Sequence, residues 1–343
     1  MRERLRIFVA ACFYYSGFVK LALWWAQRLR PGLMILNYHQ ATGGDLRRQL
    51  LFLRRHYRIL PLEEALEELY TPPMEEKPVR DRRRPMVLTF DDGYYDNYTY
   101  AFKLARELRV PITIFLIPGY IESGDPFWFK ERQSLVQRAQ VDKVVIEGRT
   151  YHLKHPEEQD LLTKTIDTHL RYATSVAERE AFLAMARKAL DVSPSVSEEE
   201  KLARPLTWAE VSEMDESEWV SFGAHTMNHP VLGYLSDPAE VQYEVSESRT
   251  VLERRLGHPV TTFAYPMGGP EHIGDEGLRA AKAAGYKWAL TLTTMRKINS
   301  PQTDPYLLDR IYINVNWHWL IMASELAGLL HFIPRLKKKL KRR

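Results

Sequence analysis

Short apolar runs containing β-branched residues alternate with longer stretches whose apolar positions recur every three or four residues, and this alternation occupies most of the chain. Runs beginning at Leu33, Met86, Pro111, Trp219, Thr261, Trp288 and Leu307 predict seven strands. Helical patterns fall between them with an apolar stripe at Leu46, Leu50, Leu51 and Leu53, and at 62–70, 96–108, 238–256 and 275–284. Asp45 and Asp96 stand where helix caps belong, and Thr207 with Glu210 predicts a capping box for another helix. Strands and helices at this cadence imply parallel βα units and an α/β fold.

The rhythm breaks between about 127 and 205. Charged helical stretches at 132–139, 156–174 and 176–190 occupy more chain than one βα unit needs, so a helical insertion beside the core is expected. The segment 74–84, dense in Pro, Glu and Arg, reads as a solvated loop. Residues 7–26 form an apolar stretch with seven aromatics, interrupted by Lys20. A spanning helix needs about 20 apolar residues, which here would bury that lysine. A single helix lying in a membrane interface is the favoured expectation, with a tilted span or a helix packed on the protein's own core as alternatives. Near the other end, 320–332 is apolar with one charge, and 335–343 carries seven basic residues. The chain therefore divides into 1–32, a catalytic body at 33–315, and 316–343.

With 343 residues the chain can bury a large core, and one barrel with appendages or two domains suit that length equally. One cysteine, Cys12, excludes intrachain disulfides and cysteine-cluster metal sites. The net charge of +4 hides an uneven distribution: residues 1–30 carry +5, residues 335–343 carry +7, and the rest carries −8. An acidic body without a basic, aromatic-interleaved patch argues against nucleic acid as a partner. Basic ends suit an anionic membrane surface.

Two stretches carry candidate chemistry. Asp91 and Asp92 stand at the carboxyl end of the run 86–90, where α/β proteins collect ligands. Ser221-Phe222-Gly223-Ala224-His225-Thr226-Met227-Asn228-His229-Pro230 follows another strand, so His225 and His229, read as one turn of helix, should emerge at the same rim. Two imidazoles and one carboxylate form a common catalytic metal set, which leaves the second carboxylate free to act as a base.

Thr89-Phe90-Asp91-Asp92-Gly93, His225 to Pro230 and Phe263-Ala264-Tyr265-Pro266-Met267-Gly268-Gly269 together resemble the three leading motifs of the polysaccharide deacetylases, the NodB-homology group of carbohydrate esterase family 4. The resemblance extends from Leu33 to about Val315 outside the insertion. It implies a distorted (β/α)7 TIM-like barrel, in agreement with the strand count. It also implies that Asp92, His225 and His229 bind one divalent metal ion, with zinc expected, that Asp91 is the general base, and that the Tyr265 backbone N–H, with Pro266 beside it, meets the oxyanion. From position on the next strand, Trp288 or Leu290 is expected to floor the acetyl methyl.

Two departures from the family pattern stand out. No arginine opens the third motif, and Arg310, near the rim on another strand, is the candidate to steady Asp91 in its place. The fifth-motif histidine is also missing, which makes His39, at the end of the first strand, the candidate acid. The expected activity is metal-dependent removal of N-acetyl groups from an envelope glycan or exopolysaccharide by a membrane-associated bacterial protein. O-deacetylation, hydrolysis of another linear amide and a non-catalytic glycan-binding role are the alternatives.

Overall fold

The computed structural model describes residues 2–29, 32–71, 81, 83–192, 201–292 and 298–330. The basic tail at 335–343 and most of the 74–84 loop lie outside the described residues.

Ten strands are present among the described residues: β1 (Met34–Tyr38), β2 (Arg58–Ile59), β3 (Pro85–Phe90), β4 (Ile112–Leu116), β5 (Lys143–Ile146), β6 (Arg149–His152), β7 (Val220–Ala224), β8 (Thr262–Ala264), β9 (Trp288–Leu290) and β10 (Ile311–Tyr312). Seven of them form a curled parallel sheet in the order β10-β1-β3-β4-β7-β8-β9. A parallel bridge between Leu290 and Leu308 ties its two ends, so the sheet closes into a distorted barrel. These are the seven strands read from the sequence, although β10 is shorter than the run 307–313. The two-residue β2, paired with β3, has no signal in the apolar pattern.

Period-two alternation divides the side chains between two cores. Ile35, Val87, Phe115, Ala264, Leu290 and Leu308 pack inside the barrel. Leu36, Leu88, Phe90, Ile114 and Leu116 face the surrounding helices. Thr207 and Glu210 form the expected capping box. The two aspartates do not cap: Asp45 accepts from the Trp319 N–H at 3.0 Å, and Asp96 is turned onto the loop after β1, accepting from Ala41 N at 2.8 Å and Thr42 N at 3.0 Å. After Asp96 the chain makes a π-helical turn, Asn97–Phe102, before the α-helix Lys103–Leu108.

The insertion has its own apolar core, joining Leu162, Ile166 and Leu170 of one helix to Leu183, Ala186 and Leu190 of the next. It is not wholly helical. The expected helix at 132–139 lies at Trp128–Ser134, and β5 and β6 form an antiparallel hairpin.

At the N-terminus the single helix expected over 7–26 is two helices, Arg2–Tyr15 and Phe18–Leu29, meeting at 73°. Gly17 takes a φ of +83° at the corner, a backbone state that glycine enters without steric cost. Among the described residues no single helix is long and apolar enough to cross a membrane; the bent pair is, by length and composition only. One side of the pair is docked on the domain. Ala10 packs on Leu320 and Ile321 of the helix Trp319–Leu326, and Val19 and Leu23 enter the main core.

Candidate active site

Asp91 follows Val87 and Thr89 at strand spacing, so it continues the inward face of β3 to the rim of the barrel. It meets Arg310 there. The guanidinium holds both carboxylate oxygens, Nη1 to Oδ1 at 2.6 Å and Nη2 to Oδ2 at 2.9 Å, in a fully buried bidentate pair. Arg310 is itself fixed by donating from Nε to the Thr291 carbonyl at 3.0 Å and by lying over the Phe115 ring. Burial by itself would raise the Asp91 carboxyl. The positive charge of Arg310, seconded by the two neighbouring imidazoles and the paired hydrogen bonds, overrides that and holds it well below the usual carboxylate range.

Asp92 diverges from its neighbour because its backbone turns left-handed, with a φ of +74°. Gly93 continues the turn, and a Cβ there would lie 2.7 Å from the Leu116 side chain. Opposite, the loop after β7 carries His225 and His229. It is not the turn of helix expected from the spacing: Thr226 and His229 both have positive φ, and the Thr226 hydroxyl accepts from the His229 N–H at 2.9 Å. Glu244, on the helix Pro238–Leu256, accepts from the backbone and side-chain amides of Asn228 and pins the loop.

Both imidazole Nε2 atoms stand 3.6 Å from the same oxygen, Asp92 Oδ1, and that buried oxygen has no hydrogen-bond partner among the described residues. A separation of 3.6 Å is too long for hydrogen bonds. It matches the roughly 3.4 Å between two atoms that ligate one ion tetrahedrally with bonds of about 2.1 Å. His225 Nδ1 is engaged with the Ala264 carbonyl at 2.6 Å, which makes it the donor and leaves the Nε2 lone pair facing Asp92. Burial lowers the pKa of both histidines, keeping them in the neutral, ligating form. Burial and then the Asp91 charge push Asp92 up to about 8. A carboxylate so destabilised, facing two neutral imidazoles, is a site completed by a cation, and the three residues fit a divalent metal ion.

The trio and Asp91 line a cavity of about 340 Å³, with Arg310 buried behind Asp91. The family model for polysaccharide deacetylases matches residues 79–180 and 180–289, well over half of the chain. The chain belongs to the polysaccharide deacetylase family. It is accordingly a hydrolase acting on carbon–nitrogen bonds other than peptide bonds, with an acetylated polysaccharide as its substrate. YxkH of Bacillus subtilis (strain 168), named for the same family, is 20% identical over 296 residues, which cover 84% of this chain and 75% of that one. The Streptococcus pyogenes deacetylase PplD, solved in complex with acetate, is 20% identical; the match covers 86% of this chain and 98% of that one, with a TM-score of 0.54. IcaB from Ammonifex degensii is 17% identical, with 86% and 97% covered and a TM-score of 0.53. These two structures share the fold.

Three sequence expectations for this deacetylase change. The Tyr265 N–H is already given to the Leu290 carbonyl at 3.0 Å, so the β8–β9 ladder leaves it no freedom to meet an oxyanion. Trp288 and Leu290 lie too deep, packed in the barrel interior with Leu308. Two residues further along the same face, Leu292 reaches the cavity wall, with Met267 and the Tyr265 side chain beside it; Pro266 is not part of that wall. His39 does line the cavity, with Nδ1 unpartnered among the described residues, and burial pushes it down to about 4. At neutral pH it is therefore uncharged, the form that accepts a proton.

The residues missed by sequence reasoning come chiefly from the insertion, which covers the site. Trp128 Nε1 donates to the His229 carbonyl at 3.0 Å, and the buried Arg179 reaches the same carbonyl at 3.4 Å while lying over the Trp128 ring. Phe129 packs its ring 4.5 Å from that of His229. The signal available was the aromatic triplet Phe127-Trp128-Phe129 opening an otherwise charged lobe.

Proposed function

We propose that this protein is a divalent-metal-dependent N-deacetylase of a bacterial envelope glycan or exopolysaccharide, seated on an anionic membrane surface by its two ends. The observation that carries the reading is the buried set of Asp92, His225 and His229 beside a carboxylate held ionised by Arg310. Two imidazoles and one carboxylate suit zinc and leave a position open for water.

Asp92, His225 and His229 would hold the ion. When bound it supplies Lewis acidity, acidifying a water molecule to a pKa of about 7 and polarising the acetyl carbonyl. Asp91, kept charged by Arg310, is a weak base suited to a proton made labile in this way. It takes that proton as water attacks the acetyl carbon and returns it to the departing amine, which leaves neutral. Water and the amide give acetate and the free amine. Met267 and Leu292 supply apolar surface for the methyl group.

Purified protein is expected to hold close to one zinc ion per chain, and His225→Ala and His229→Ala are each expected to lose it together with acetate release. Elemental analysis of the variants decides. Full occupancy in both would remove the metal site from these residues.

The membrane reading is supported by the undocked side of the N-terminal helices, where Phe8 (66% exposed), Phe18, Trp24 and Trp25 remain open to solvent among Arg4, Arg6 and Arg28. The other side is built into the fold, so deleting the helices would expose the core around Val19 and Leu23. Point changes are the cleaner test. Phe8→Ser/Trp24→Ser/Trp25→Ser is expected to weaken binding to vesicles of mixed zwitterionic and anionic lipid by more than tenfold, given about 1.5–3 kcal/mol for each large apolar side chain buried. Binding should also fall as salt rises. Unchanged flotation with such vesicles would exclude these helices as the anchor.

A further inference from the structure

The wall of the catalytic cavity that the insertion supplies is cationic. Lys130, Arg132 and Arg171 all line it. Arg132 and Arg171 share one carboxylate, Asp167, and the closeness of the second guanidinium adds to burial in lowering the pKa of the first. Among the described residues Lys130 bonds no carboxylate: it donates to the Gln40 side-chain oxygen at 3.0 Å and lies over the Tyr94 ring. Three cations thus stand against one acid, a surplus of two. Of the other acids in the cavity, Asp91 is paired with Arg310, while Asp92 faces two neutral imidazoles and draws on the Lys130 charge, so at most one of the two surplus charges is offset there, and none once a cation fills the Asp92, His225 and His229 set.

A solvated charged face would place such groups in open water. Here the Arg132 and Arg171 side chains are only 17% and 22% exposed, held by the Phe129 carbonyl and the Met267 sulfur respectively. Holding two guanidinium groups and an ammonium together, partly desolvated and short of counter-charge, is unfavourable unless something anionic joins them. Guanidinium forks match carboxylate and phosphate oxygens in geometry as well as in charge.

We propose that Lys130, Arg132 and Arg171 form a subsite for an anionic substituent of the glycan, a carboxylate or a phosphate, so that this deacetylase acts on an acidic rather than a neutral substrate. At about 340 Å³ the cavity lies near the small end of ligand pockets, which places the charged group on the acetylated sugar or on the unit joined to it. The inference takes the glycan from the deacetylase reading; the binding of the anion stands apart from turnover.

The test measures binding to the zinc-loaded full chain by calorimetry at two salt concentrations, so that no turnover is needed. Three probes are compared: a neutral N-acetylglucosamine tetramer, a hyaluronan tetrasaccharide carrying carboxylates, and UDP-N-acetylglucosamine carrying phosphates. At least one acidic probe should bind about tenfold or more tighter than the neutral one, as expected for charge-assisted contacts. The winner tells carboxylate from phosphate. That preference should shrink with salt and fall toward unity in Lys130→Gln and in Arg171→Gln, while both variants keep their zinc. Equal binding of all three probes overturns the subsite, and so does a preference that survives both substitutions. Loss of the deacetylase reading would look different: no acetate released from any probe, or no zinc in the wild-type chain, with the binding ratios still measurable.

Discussion

Asp91→Asn is expected to lower kcat/KM by about 100-fold or more, the usual contribution of a positioned general base, while the metal content stays at the wild-type level. The amide is nearly isosteric and can still accept from Arg310 through its oxygen, so the wall of the site should stay in place. What is lost is the negative charge and the capacity to take up a proton. Asp92→Asn should do the opposite, releasing the metal because Oδ1 is the oxygen both histidines face at 3.6 Å. Measuring metal content and acetate release side by side separates the two aspartates. If Asp91→Asn loses the ion and Asp92→Asn keeps it, the roles assigned from the geometry are exchanged.

That two adjacent aspartates can play such different parts follows from a feature no composition count contains. Asp91 keeps strand backbone and points into the barrel, whereas Asp92 crosses into the left-handed region and points toward the loop after β7. The pair itself, the histidine spacing and the seven strands were legible because each is written in contiguous residues. Arg310 was legible for a different reason: a strand near the rim carried a cation that the site lacked.

What stayed hidden depends on contacts between distant segments. The Tyr265 N–H is consumed by Leu290, a partner set by strand register. The floor of the cavity is Leu292 rather than Leu290, because the depth at which a strand meets the rim is fixed by its neighbours. The insertion's place over His229 rests on hydrogen bonds between residues 50 and 101 positions apart. One miss was avoidable. Glu147 and Gly148 both take positive φ, as a tight hairpin turn requires, and an acidic residue followed by glycine between two short β-branched runs was readable as such a turn.

Arg310→Met is expected to destabilise the fold by about 3–5 kcal/mol, because removing one partner of a buried ion pair leaves the other charge without compensation. Arg310 is fully buried and Asp91 almost so, and the flexible apolar side chain would replace the guanidinium beside Phe115 without restoring any donor to the carboxylate. Asp91 would then take up a proton or draw in water, and either outcome removes the charged base. Stability is read from the denaturant midpoint and activity from acetate release. The double variant Asp91→Asn/Arg310→Met should recover much of the lost stability, since the uncompensated charge is gone, yet remain as inactive as Asp91→Asn alone. That combination separates a pair kept for catalysis from one kept for folding. Should Arg310→Met match the wild type in both midpoint and rate, the Asp91–Arg310 pair is not the organising contact of the site, and the base is held by another group.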